Sequence, residues 1–215
     1  MGEPDCESIP APANEADRIQ FALNLELLKA EFFLNGAVGQ GLNTIDPSLA
    51  QRGPPRIGTK KANLDPVVDH IIKEFSFQAV DNIRSLEEQL MQLMIIEQLM
   101  ISETHGECAV IQTQLYEKAN KKVLPYNMTV AEFTDRISKL RNMLSKRGTN
   151  DEGIIVPIFP GAYNQVNTNI IPVNHTWSLP EILRILYRTG SQHIPAGFFP
   201  RGGGGNIAKC CLNKA

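Results

Sequence analysis

Apolar residues recur at three- and four-residue steps through several stretches of this chain, and proline and glycine separate those stretches sharply. Ile19, Ala22, Leu23, Glu26, Ala30 and Phe33 fall on one helical face, with Leu25, Leu28 and Phe32 as a second apolar stripe beside it. Asn14 followed three residues later by Asp17 predicts the start of this helix, and Asn35-Gly36 predicts its end. A helix apolar over so much of its circumference is expected to be central to the fold. Residues 36–66 are rich in glycine and proline and read as a long loop that wraps a surface or serves a function.

Val67 to Leu124 contains no proline and one glycine, Gly106. As one straight helix it would be about 85 Å long, so a hairpin or a protruding helix is expected. Its inward stripe is predicted to run Val68, Ile72, Phe75, Ala79, Asn82, Leu86 and, later, Thr104, Glu107, Ile111, Leu115, Ala119. Between these lies a Leu/Met-rich stretch (Leu90, Leu93, Met94, Leu99, Met100) suited to a core or to a partner helix. Thr129 with Glu132 forms a capping box for a further helix lined by Val130, Phe133, Ile137, Leu140 and Leu144 and ending before Gly148. Ser178 with Glu181 caps a short helix that Gly190 is expected to stop. Residues 154–157 and 169–172 read as short extended segments, 1–13 as an extended N-terminal arm, and Gly197 to Gly205 as a flexible tail. The predicted organisation is thus an arm (1–13), a helical region (14–148) and a loop-rich C-terminal extension (149–215) with a short helix at 178–189.

Composition narrows the function classes. The chain has 215 residues, enough for one domain with a full core or for two small ones, and 21 basic against 23 acidic groups give a net charge of −2. That balance argues against a nucleic-acid partner. Residues 1–120 are acidic on balance and residues 121–215 basic, which reads first as two solvated surfaces. No apolar run is long enough for a transmembrane segment, and the start, Met1-Gly2-Glu3-Pro4-Asp5-Cys6, has no signal-peptide pattern, so the chain as written is expected to begin in the cytosol. Cys6, Cys108, Cys210 and Cys211 lack zinc-ligand spacing; a clip between Cys6 and the Cys210-Cys211 pair and four thiols are equally open.

Glu26 is the residue with the strongest chemical interest, because a carboxylate on a buried stripe needs a cation or hydrogen-bond donors to offset desolvation. Inward carboxylates in a helical bundle raise the possibility of a di-metal centre, whose pattern includes Glu-x-x-His on two helices. That pattern is missing. Glu103 and His105 are two apart and point about 200° from one another, and His70, His175 and His193 have no acidic residue at ligand spacing. Gly202 to Gly205 is not followed by the Lys and Ser/Thr of a phosphate loop, and no nucleophile elbow is present. Asn127-Met128-Thr129 and Asn174-His175-Thr176 fit the glycosylation sequon, which matters only for a secreted chain.

Asp17 to Glu26, continuing Ala30-Glu31-Phe32-Phe33-Leu34-Asn35-Gly36, resembles the opening helix of the plant desiccation-related proteins, a branch of the ferritin-like superfamily. So do Gly58 with Lys61 to Pro66, Leu115 to Asn120, Val123 to Tyr126, Thr129 to Asn142, Asp151-Glu152-Gly153, Pro180 to Tyr187, Gly197 to Pro200, and Ile207-Ala208-Lys209. The resemblance covers most of the chain outside residues 83–102.

It implies a mainly α fold, a ferritin-like helical bundle that is incomplete, its third helix missing by shortening between about 83 and 102, with an irregular, loop-rich C-terminal region. The departures concern the ligands. Where the family carries a Glu and, three residues on, a His, this chain has Ala79 and Asn82; a second Glu of the first helix is replaced by Lys29. The family's Glu and Gln on the last bundle helix align with Thr104 and Glu107.

The carboxylates that could still contribute to a metal site are Glu26, Glu31 and Glu107. The resemblance therefore implies a stress-linked, desiccation-related protein without catalytic activity and without a cofactor. A di-iron or di-manganese carboxylate protein handling oxygen species is the alternative. A third reading is an interaction module, self-associating as a homo-oligomer through the Leu/Met-rich helix. The family also implies a secreted location, although this chain shows no leader.

Overall fold

The computed structural model describes residues 14–50, 56–89, 96–148, 153–154 and 177–212, with the side chains of 88–105 left aside. Its architecture is mainly α-helical, a partly incomplete helical bundle with irregular C-terminal segments, as the resemblance implies. The chain clusters into two compact units.

The first unit comprises Pro12–Ile96 with Gly203–Ile207. Helix α1 (Glu15–Phe33) begins as the sequence predicts, with a reciprocal capping box: Asp17 N–H donates to Asn14 Oδ1 (2.9 Å) and Asn14 N–H to Asp17 Oδ2 (3.1 Å). The expected stop at Asn35-Gly36 is not where the helix ends. A π-helical turn, Leu34–Val38, extends it, and Gly39 terminates it at φ 82°, a left-handed conformation that glycine adopts without a Cβ clash. A short helix α2 (Leu42–Ile45) lies in the predicted loop.

Helix α3 (Pro66–Gln89) packs along α1 and the π turn. The core of this unit is built from Leu23, Ala30, Leu34 and Ala37 on one side and Ala79, Val80, Ile83 and Leu86 on the other, all buried. Two alanines at 0% exposure, Ala30 and Ala79, leave no room for larger side chains on this face. The predicted stripe of α3 is rotated: Ser76 and Ile83 are buried, while Val68, Ile72 and Phe75 are only half-buried.

Residues 203–207 are pinned to α1. Asn24 Nδ2 donates to the Gly204 carbonyl (2.9 Å), Gly204 N–H returns a bond to Asn24 Oδ1 (3.1 Å), and Asn206 Nδ2 donates to Asp17 Oδ1 (2.8 Å). A Cβ on Gly205 would lie 2.8 Å from Gln20 Oε1, so glycine is what allows this approach. The tail read as flexible is therefore held here, and it continues into a helix, α7 (Gly205–Leu212), that the glycine run concealed.

The second unit comprises Glu97–Gly202 with Ala208–Ala215. The proline-free stretch carries α3 and α4 (Ile96–Glu117) as separate helices. After α4, β1 (Lys122–Val123) and β2 (Met128–Thr129) form a small antiparallel hairpin, with Lys122 opposite Thr129. The hairpin leads into α5 (Val130–Ser145), whose Thr129/Glu132 capping box forms as predicted. Its buried face is Ser138, Leu144 and Ser145, whereas Ile137, placed inward by periodicity, is exposed. Helix α6 (Leu179–Tyr187) packs on α5 and ends at Arg188 in the left-handed region, two residues before the predicted Gly190. No described helix is long and apolar enough to cross a membrane. The N-terminal arm, the segments 155–157 and 169–172, and the Leu/Met stripe lie outside the described residues or side chains.

Candidate carboxylate site

Glu26 sits mid-way along α1 with 5% of its surface exposed. Two donors from two helices converge on one of its oxygens. Lys29 Nζ, one turn further along α1, is 3.0 Å from Oε2, and Asn82 Nδ2 of α3 donates to the same atom at 3.4 Å. The helical spacing of i and i+3 brings Lys29 over Glu26, and α3 packing brings Asn82 across. The Lys29 side chain is itself only 16% exposed, so the pair is largely withdrawn from water, where breaking it would strand an uncompensated carboxylate. The lysine that replaces the family's second Glu on this helix is thus turned toward Glu26.

Glu31 has different surroundings. It is five positions further along, about 140° around the helix from Glu26. Its Oε2 accepts from Asn35 Nδ2 (3.0 Å) and lies 3.7 Å from Arg56 Nε. A Cβ on Gly41 would come within 2.6 Å of the same oxygen, so the loop after α1 closes directly over this carboxylate. Glu31 thus anchors the loop after α1. Glu107 is buried on α4 at 6% exposure and belongs to the other unit.

Whether a metal ion fits the α1–α3 face can be judged from donor chemistry. A protonated ammonium has no lone pair to give, and Lys29 brings its positive charge against the oxygen a metal would use. Beside the Glu26 carboxylate, the contact made to that oxygen from α3 comes from an amide N–H, which has no lone pair to offer iron or manganese either. The residues of this face do not fit a metal ion, and among the described residues no group of three or more His, Cys, Asp or Glu could hold one.

A further buried carboxylate, Glu181, was legible as a helix cap but not as a buried group. At 2% exposure its Oε2 accepts from Ser178 N–H (2.7 Å), Ser178 Oγ (2.8 Å) and Arg147 Nη1 (3.3 Å). Burial pushes its carboxyl up, but the two Ser178 bonds and the Arg147 guanidinium outweigh this and hold it below the usual range. This arrangement ties the segment after α5 to the start of α6. Elsewhere in that unit, His193 Nδ1 pairs with the Cys211 carbonyl. Cys211 is disulfide-bonded, while Cys108 and Cys210 carry thiols.

The model of the ferritin-like domain matches residues 14–136. The chain is 36% identical to the ferritin-like catalase Nec2 of Nesocodon mauritianus, over 91% of this chain and 85% of that protein. It is 29% identical to the desiccation-related protein PCC13-62 of Craterostigma plantagineum, over 74% of this chain and 72% of that one. The first alignment extends over 264 positions, more than the 215 residues of the chain, so the relative carries residues within the matched span that this chain lacks. No solved structure matches significantly.

Proposed function

The chain belongs to the ferritin-like domain family, and from that premise we propose that it acts on oxygen species, with hydrogen peroxide as its substrate. The observation that carries this reading is the similarity to a ferritin-like catalase along 91% of the chain, wider and closer than the similarity to the desiccation-related relative. The α1–α3 face contributes no metal ligand set to such an activity, so no step is derived through a metal there. Oxygen evolution from peroxide tests the reading. The full chain, produced with iron and manganese in the medium, is expected to release oxygen well above the rate of the heat-inactivated protein. Equal rates would sink it.

A second reading is a desiccation-related, stress-linked protein without catalysis. The Lys29–Glu26 pair favours it, because a face already neutralised from within has no use for a metal. In either case we place the missing stretch between about 83 and 102, where the resemblance lapses.

The disulfide at Cys211 supports a location outside the reducing cytosol. Peptide mapping after iodoacetamide treatment of the denatured, unreduced protein should find Cys108 and Cys210 alkylated and Cys211 protected until reductant is added. Alkylation of Cys211 without reductant would remove the support for secretion. The near-neutral charge continues to argue against nucleic acid, and exposed Phe32, Val67 and Phe77 leave apolar surface for a homo-oligomeric contact.

A further inference from the structure

We propose that the Lys29 ammonium is the resident cation of the Glu26 carboxylate, so that the α1–α3 face holds its buried negative charge without a metal ion and excludes one in the unaltered chain. The geometry carries this. Lys29 Nζ stands 3.0 Å from Glu26 Oε2, and Asn82 donates to the same oxygen from the facing helix. The carboxylate is 5% exposed, and the ammonium reaches it along a stem that is itself mostly covered, so the charge is balanced by a side chain that cannot dissociate from the protein. An incoming divalent cation would have to displace that ammonium against mutual repulsion while both remained tethered to the same helix turn. Ala79, one turn before Asn82 and fully buried, supplies no oxygen to help it.

The consequence is a carboxylate site whose charge balance is encoded in the chain and does not vary with metal supply. Exchange of Lys29 for an oxygen-bearing side chain should open it, because Glu26, the new side chain and the Asn82 amide oxygen would then offer the hard donors that manganese accepts.

The experiment uses the full chain, stripped with chelator, offered manganese(II) and desalted, with metal per chain read by elemental analysis and melting temperature read with and without manganese. Wild type and Glu26→Gln should retain the same manganese. Lys29→Glu should retain about one equivalent more, and manganese should raise its melting temperature. Lys29→Gln keeps most of the stem length, removes the charge, and should show a smaller gain; it is the variant read if Lys29→Glu does not fold.

Loss of manganese on Glu26→Gln would overturn the proposal, as would a folded Lys29→Glu or Lys29→Gln that retains no more than wild type. The inference does not rest on peroxide turnover. A chain that evolves no oxygen fails the functional reading and can still pass this test, and a chain that evolves oxygen can fail it.

Discussion

Ile83→Ala should lower the free energy of unfolding by about 2–5 kcal/mol, the range for truncating a large aliphatic side chain in a packed core. Ile83 is at 0% exposure on α3, flanked by Val80 and Leu86, on the face that packs along α1 and the π turn. Ala30 and Ala79 already bring the two helices close, so the backbone has little room to collapse into the space left, which places the cost in the upper part of that range. Urea unfolding followed by helical circular dichroism reads it. Ile57→Ala is the control: its side chain is 99% exposed, and its removal should change stability by no more than about 0.5 kcal/mol. Equal effects of the two substitutions would mean that α1 and α3 do not pack as described.

Glu181→Ala should cost about 1.5–3 kcal/mol, because it removes hydrogen bonds to an ionised acceptor that is itself 2% exposed, while the donors on exposed Ser178 turn to water. Arg147 adds little to that sum, since its side chain is 51% exposed and its pairing is screened by water. The pH dependence has a definite sign. The folded carboxyl titrates below the ordinary value of 4.5, so its contribution is present above that pH and is lost as the pH falls through the folded value. Glu181→Gln should therefore be less stable than wild type at neutral pH, with the difference shrinking as the solution is acidified below pH 4.5. A difference that stays constant from neutral to strongly acidic pH would contradict the assigned bonds.

Helix starts were the most legible part of this sequence, for a physical reason. A capping box is a bargain between residues three apart, and all three that the spacing predicts (Asn14 with Asp17, Thr129 with Glu132, Ser178 with Glu181) are formed. Helix ends were read less well, because a left-handed terminator need not be glycine: Arg188 stops α6 and Lys146 stops α5. The exact buried face was also beyond the apolar pattern. Ser138 and Ser145 are buried on α5 while Ile137 is exposed, a choice made by the neighbouring α6 and hairpin, which periodicity does not see. For the candidate site, the burial of Glu26 and the nearness of Lys29 followed from helical spacing alone. Asn82 converging on the same oxygen did not, nor did Arg56 and Gly41 closing over Glu31, since these are long-range meetings that only the fold decides.

The bonds between Asn24 and Gly204 join positions 180 residues apart, and Asp17 reaches Asn206 across 189. Helix α1 can therefore form and pair with α3 early, while its first half waits for a segment made much later in synthesis to cover it. During that interval the surface around Gln20 and Asn24 stands open to water and to other chains. The delay is set by ribosome speed, at about 5–20 residues per second, and it gives any chaperone a window of several seconds on this one face.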